Sequence, residues 1–298
     1  MEAVIALTRL GGVASHAELV NAAGRSALRA ALDAGLIVRA ATGTYGVPDA
    51  DRARLAALKL NGALGLTSAA LAYGWKVKDL PAAPTVWVPR NRRVSPHRRH
   101  GIDVRWGSLT TGELSRRRTD PARTVVDCAR FLPFDEALAV ADSALRSGEV
   151  GPIGLLEAAE MAPRTGRSQA IRVAGAATHE ADNPMESVLR AICLDIKGLR
   201  VLPQQWVGDV GRADLVDSAR RLVIEAESME FHGSLAGYRR DVRRYTGFVG
   251  ERHLVLRFCW EDIMLRPAAV TAAIEEVLTW WPPPSRHAAR PKTGKFGA

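Results

Sequence analysis

The stretch from Gly211 to His232 constrains this chain more than any other. It reads Gly211-Arg-Ala-Asp-Leu-Val-Asp217, a polar gap from Ser218 to Arg221, Leu222-Val-Ile-Glu-Ala-Glu227 and, further on, His232. The alternation around Asp214 and the β-branched-rich run Leu222, Val223 and Ile224 predict two strands. Glu225 and Glu227 stand two apart, so they leave the same face of the second strand. With the strands as hairpin neighbours, Asp214 sits beside Glu225. Acids that meet at the end of a buried apolar strand repel and lose solvation unless a cation lies between them. Oxygen-only ligands favour Mg²⁺ or Mn²⁺, and Mg²⁺ usually takes one or two carboxylates with phosphate and water. The chemistry that fits is metal-assisted hydrolysis of a phosphodiester.

The surrounding residues extend this pattern. Glu186 lies on a helix capped by Asn183, and Gln205, Arg212-Ala-Asp214, Glu225-Ala-Glu227, His232, Arg240-Asp-Val-Arg243 and Val255-Leu-Arg-Phe258 follow in order. Together they resemble the very-short-patch-repair-like domain of the restriction-endonuclease superfamily, with its PD-(D/E)xK motif on an αβ core. The similarity covers roughly 183–265. It implies that Asp214 and Glu225 hold the metal and that Glu227 takes the place of the motif's lysine. It also makes Glu186 an accessory acid and puts His232 and Arg240 beside the scissile phosphate. The subfamily usually shows Glu-x-Asp-Gly, whereas this chain has Glu225-Ala-Glu227-Ser228.

Charge points to an anionic partner. The 298 residues carry a net charge of +9, with 47% hydrophobic and 24% charged residues, and the pI is near 10.0. That balance belongs to a globular protein of about two domains, and nucleic acid is the commonest partner of so basic a chain. Cys128, Cys193 and Cys259 lie far apart in apolar surroundings. They read as reduced core residues, not as a zinc or disulfide framework. No secretory signal or bilayer-length apolar run is present in the sequence, so a cytoplasmic protein is expected.

The first fifty residues predict three short helices and a hairpin. Glu2 to Leu10 forms the first helix. Ser15 caps the second, with Glu18 completing a capping box, and Arg25 to Ala34 forms the third. Leu36 to Arg39 and Thr44 to Val47 pair around Thr42-Gly43. This is the plan of a winged helix, whose third helix enters the major groove. Arg25, Ser26 and Arg29 would face DNA, and Arg39 on the wing would reach phosphate. The competing reading is a helical bundle with a solvated basic face.

Leu10-Gly-Gly-Val-Ala-Ser15, Ala31-Leu-Asp-Ala-Gly-Leu36, Gly43-Thr-Tyr-Gly-Val-Pro48, Leu66-Thr-Ser-Ala-Ala70 and Pro121-Ala-Arg-Thr-Val-Val-Asp127 are similar to the AbiEi family of type IV antitoxins. The similarity covers roughly 1–147. It implies a winged helix that binds promoter DNA, then a second domain, which in the antitoxins proper opposes a nucleotidyltransferase toxin.

In the middle of the chain, Arg52 to Gly62 reads as an amphipathic helix, Ser68 as the cap of another, and Thr85 to Val88 as a strand. The densest positive charge follows: Arg90, Arg92, Arg93, then His97-Arg98-Arg99-His100, and later Arg116 to Arg118. A metal reading of His97 and His100 is poor, because arginines crowd them and no acid or cysteine is near; a phosphate-tracking surface at Arg92, Arg93, Arg98 and Arg99 is the better reading, against a merely solvated loop. Asp120 is expected to cap a helix that starts at Pro121, with Arg123 and Asp127 paired four apart. Phe134 to Arg146, Gly154 to Met161 and Gln169 to Thr178 are further helices. His253 to Phe258 is apolar enough for a central strand, and Pro267 to Trp281 forms a last helix before a basic tail expected to be disordered.

The fold class is therefore α/β (α+β). The expected domains are a winged helix at 1–50, an antitoxin-like middle at 51–180, a restriction-endonuclease-like core at 181–281 and a tail at 282–298. Three functions compete. The first is a DNA endonuclease that uses Mg²⁺ or Mn²⁺ at Asp214 and Glu225, with water positioned by Glu227 and the phosphate handled by His232 and Arg240. The second is an inert antitoxin or autoregulator on double-stranded DNA. The third is a scaffold that neutralises a nucleotidyltransferase-type toxin without touching DNA.

Overall fold

A computed structural model describes residues 2–9, 13–41, 43–46, 52–227 and 235–281. His232, Ser228, Thr42, Val47 and the basic tail lie outside them. The chain is mixed α and β and divides into two compact units, Met1–Thr178 and His179–Ala298. No helix among the described residues is long and apolar enough to cross a membrane.

The first unit begins with α1 (Glu2–Arg9), β1 (Val13–Ser15), α2 (His16–Ala23), α3 (Arg25–Asp33), β2 (Val38–Ala41) and β3 (Thr44–Gly46). Ser15 caps α2 as the sequence predicts: its side chain accepts from the Glu18 amide, and Glu18 accepts from the Ser15 amide at 2.8 Å. The hairpin forms, and β1, which sequence reading missed, adds to it in the order β1-β3-β2. Three residues are too few for an alternation signal. Leu7, Leu19, Leu28, Ala31, Ile37 and Tyr45 close a small core beneath this sheet.

The unit continues with α4 (Arg52–Leu60), β4 (Ala63–Leu64), α5 (Leu66–Ala72), β5 (Thr85–Pro89), α6 (Pro96–Arg99), β6 (Asp103–Gly107) and α7 (Thr111–Arg116). Four helices follow: α8 (Pro121–Phe131), α9 (Phe134–Ser147), α10 (Pro152–Glu160) and α11 (Arg167–Ala176). Ser68 is not a cap. Helix α5 starts earlier, after Gly65, and the buried Ser68 hydroxyl accepts from the Thr85 amide at 3.0 Å, tying α5 to β5. Asp120 precedes Pro121, but its carboxylate turns to Arg116 and makes no capping bond. Arg123 does reach Asp127 at 3.3 Å, yet its closer partner is the fully buried Glu113, at 2.8 Å, which also closes a capping box on Thr110. Helix α9 is buried almost all round, because Ala137, Ala139, Ala141 and Ala144 let neighbouring helices approach.

The second unit is built on a four-stranded sheet. Its elements are α12 (Pro184–Asp195), β7 (Leu202–Val207), β8 (Gly211–Asp217), β9 (Leu222–Glu227), α13 (Leu235–Gly250), β10 (Leu254–Cys259), α14 (Trp260–Leu265) and α15 (Pro267–Trp280). The strand order is β10-β9-β8-β7, with β9 and β10 parallel and the other neighbours antiparallel. Strand β10 is therefore an edge of the described sheet, not a central strand, and its apolar residues are only half-buried. Cys259 correspondingly leaves the core. It is partly exposed and donates to Asp262, while Cys128 and Cys193 are buried.

Period-two alternation sorts the sheet's side chains. Leu215, Leu222 and Ile224 join α12, α14 and α15 in one core, with Val188, Leu189, Ile263 and Ile274. Val216 and Val223 face the other way, against Phe248 of α13. Phe248 is fully buried and is what fastens α13 to the strands. Phe248→Ala is expected to cost about 3–5 kcal/mol, read as a lowered midpoint in urea unfolding followed by tryptophan fluorescence.

Candidate active site at the end of strands β8 and β9

Antiparallel pairing of β8 with β9 stops at Leu215 opposite Ile224. Beyond that pair, the backbone amides of Asp214, one residue on, and of Ala226, two residues on, are met by side chains. The Glu225 carboxylate accepts from the Asp214 amide at 3.2 Å, and the Asp214 carboxylate accepts from the Ala226 amide at 2.9 Å. The two acids predicted to be neighbours are brought together by this exchange.

Glu186 joins them from the first turn of α12. Asn183 caps that helix, accepting from the Glu186 amide at 3.1 Å. The Glu186 carboxylate accepts from the Asp182 amide, the Asn183 side chain and Gln204 at 2.7–2.8 Å. Gln204 also lies 3.5 Å from Asp214, so its amide spans both acids. The neighbouring Gln205, which the resemblance singled out, donates instead to the Pro203 carbonyl. Gln204 adopts φ +53°, a left-handed backbone that non-glycine residues rarely hold.

The face carrying Val223 also carries Glu225 and Glu227, and it meets α13. One helical turn before Phe248 stands Arg244, whose guanidinium reaches Glu225 at 2.6 Å and the Arg212 carbonyl at 3.2 Å. The match is geometric: four helical residues advance about 6 Å and two strand residues about 6.6 Å. Glu227 is held by Arg257 at 2.8 Å and by the Tyr245 hydroxyl. Arg257 in turn lies 3.7 Å over the Tyr245 ring. Arg240, a further turn back, is exposed.

Burial sets the electrostatics. Loss of solvation, reinforced by the Asp214 charge, pushes Glu186 and Glu225 up to about 7. Burial also raises Asp214, against the Ala226 amide and Arg244. The single arginine at Glu225 thus leaves net negative charge among three carboxylates. Among the described residues no three His, Cys, Asp or Glu side chains converge in an ion-holding geometry. Asp214 and Glu225 offer the hard carboxylate oxygens that a divalent cation takes, and in this structure Arg244 and the Asp214 and Ala226 amides engage them.

The predicted DNA-facing residues Arg25, Ser26 and Arg29 are all exposed along α3. Arg39 is exposed on β2 and donates to the Tyr45 hydroxyl at 3.3 Å. Arg92 is half-buried, and Arg93, Arg98 and Arg99 are exposed on and before the single turn of α6. Arg98 donates to the Lys59 carbonyl. Sequence reasoning missed Gln204, Arg244, Tyr245 and Arg257. Opposite-strand register would have chosen Gln204 over Gln205, because Pro203 pairs with Leu215 and Gln205 with Ala213. No sequence signal separates Arg244 from Arg240 without the packing of Phe248.

No family model matches the chain. Two Mycobacterium tuberculosis proteins, each named as uncharacterized (MT2308 of strain CDC 1551 / Oshkosh and Rv2248 of strain ATCC 25618 / H37Rv), are 29% identical to it over 255 residues, covering 80% of this chain and 92% of theirs. The crystal structure of the RV2827C protein from Mycobacterium tuberculosis aligns with 63% of this chain and 78% of its own, at 17% identity and a TM-score of 0.33.

The raised carboxylates have a consequence for stability. Glu186 binds its proton more tightly folded than unfolded, so its contribution is fully present below about pH 4.5 and is lost as pH rises through about 7. Without divalent metal, wild-type protein should lose on the order of 3 kcal/mol across that window relative to Glu186→Gln, measured as the difference between their urea-unfolding free energies at pH 5 and pH 8.

Proposed function

We propose that the second unit hydrolyses DNA phosphodiesters with a divalent cation. The observation that carries this is the juxtaposition of half-buried Asp214 and buried Glu225 where two strands part, with Glu186 linked to them through Gln204. Asp214 and Glu225 would hold Mg²⁺ or Mn²⁺, which when bound polarises the phosphate and lowers the pKa of its water. The side chains of the protein supply the rest. Glu186, held by three donors, keeps Gln204 aimed at Asp214. Arg244 brings positive charge to Glu225, and Arg240, exposed on α13, keeps its expected place beside the scissile phosphate. Glu227, fixed by Arg257 and Tyr245, is a positioning residue rather than the water's base. His232 keeps its expected role as a phosphate contact or general acid.

The N-terminal segment is read as the DNA-binding element. Its support is the helix and strand order of a winged helix and the exposed row Arg25, Ser26 and Arg29 on α3. Double-stranded DNA in the cytoplasm is then the partner. A nucleotidyltransferase-type toxin as a second partner rests on the antitoxin resemblance alone.

A second reading is favoured by one contact. The guanidinium of Arg244 sits 2.6 Å from Glu225, where it neutralises a carboxylate the metal would need. Under that reading the unit is an inert relic, and the protein is a promoter-binding autoregulator.

Plasmid incubated with purified protein and Mg²⁺ or Mn²⁺ separates the two. Under the first reading Asp214→Asn and Glu225→Gln each reduce cleavage by about 10²–10³-fold, the scale of losing one electrostatic stabiliser. No cleavage by wild-type protein with either metal, together with no metal-dependent rise in Tm, selects the inert reading.

A further inference from the structure

The first unit holds a cavity of about 400 Å³ that none of these roles uses. Arg54 of α4 lines it together with Arg116, Arg117 and Arg118, and Leu64 and Ala72 form its apolar lining. Four guanidinium-bearing side chains around one hollow repel one another, and Arg54 has a contact of its own within the fold. Arg116 pairs with Asp120. Arg117 donates to the Asn61 amide oxygen at 2.5 Å, and Arg118 to the Ala72 carbonyl at 2.5 Å, both neutral acceptors. Glu18 adds only a distant field at Arg117.

The arrangement is held in place from several directions. The Leu64 amide donates to the Arg117 carbonyl at 2.8 Å, and the Thr119 amide donates to the Leu64 carbonyl at 2.9 Å. These bonds pin the three-arginine segment beside β4, with Arg118 in a parallel bridge to Leu64. Arg117 ends α7 in the left-handed region at φ +57°, a conformation costly for any residue with a side chain. The Arg118 guanidinium lies 3.8 Å over the Tyr73 ring, which stacks on Trp75 at 4.7 Å. The Nε of Arg117 is buried with no hydrogen-bond partner, a state a native fold seldom leaves unfilled. A pinned set of guanidinium groups suits a ligand rich in charged acceptor oxygens, and arginine forks match the geometry of phosphate.

We propose that this cavity is a phosphate-recognition site of the first unit, reading the phosphate of a free nucleotide or of a nucleic-acid strand through Arg54, Arg116, Arg117 and Arg118. It belongs to the first unit and does not depend on the chemistry of the Asp214–Glu225 site.

The test uses full-length protein in EDTA, with inorganic pyrophosphate followed by calorimetry and a short DNA duplex followed by fluorescence anisotropy. Two variants, Arg54→Gln and Arg117→Gln/Arg118→Gln, alter different segments, so one remains informative if the other fails to fold. Saturable pyrophosphate binding that weakens at least about tenfold in a folded variant supports a free phosphate ligand. A similar loss for the duplex alone supports a nucleic-acid strand as the source. Unchanged affinity for both probes in a folded variant overturns the proposal.

Discussion

The second unit turns on what happens where β8 and β9 stop pairing. Two backbone amides there are each met by a carboxylate from the opposite strand: Asp214 by Glu225, Ala226 by Asp214. The exchange ends the ladder without orphaned donors. It also forces two acids into contact inside a fold that removes their water. The hydrogen bonds favour the charged forms, yet burial and mutual repulsion win and hold both acids above their usual range. Satisfying the backbone thus creates a surplus of negative charge, and the rest of the unit is arranged around it. Gln204 links the pair to Glu186, and α13 brings Arg244 to one side of it.

The same interaction explains how much could be read from the residues alone. The alternation of Leu222, Val223, Ile224, Glu225, Ala226 and Glu227 settles both the strand and the face from which the acids leave. Polar Ser218 to Arg221 settles the turn, where Asp217 accepts from the Arg220 amide at 3.0 Å. Asp214 beside Glu225 follows from those two facts. The arginine that meets them does not. Arg239, Arg240, Arg243 and Arg244 all lie along one helix, and the choice among them is made by Phe248, whose burial sets the rotation of α13. Where a role depends on a tertiary anchor rather than on strand or helix period, sequence spacing leaves neighbours equivalent.

The other departures have the same origin. Asp120 and Ser68 carry cap-forming side chains at plausible positions, but Asp120 turns to Arg116, four residues before it, and Ser68 to the Thr85 amide. Local capping is worth about 1 kcal/mol, so a buried tertiary hydrogen bond such as that of Ser68 can outbid it. Strands β1, β4 and β6 were missed because each is short or half-exposed, and hydrogen bonds to a neighbour define them more than apolar pattern does. Strand β10 misled in the opposite sense: its apolar run reflects a parallel partner on one side and helices on its faces, not a place in the middle of the sheet.

Arg244 serves either functional reading. A guanidinium 2.6 Å from Glu225 lowers the cost of burying that carboxylate, which stabilises the apo fold. The same contact competes with any divalent cation for the same oxygen. Its guanidinium also lies 5.0 and 5.6 Å from the ring centres of Tyr245 and Phe248, so aromatic faces share in holding the cation beside Glu225. A metal that repays the lost ion pair by binding both carboxylates makes the site an enzyme's. One that cannot leaves Arg244 in place, and the same residues then serve only to close the end of the sheet.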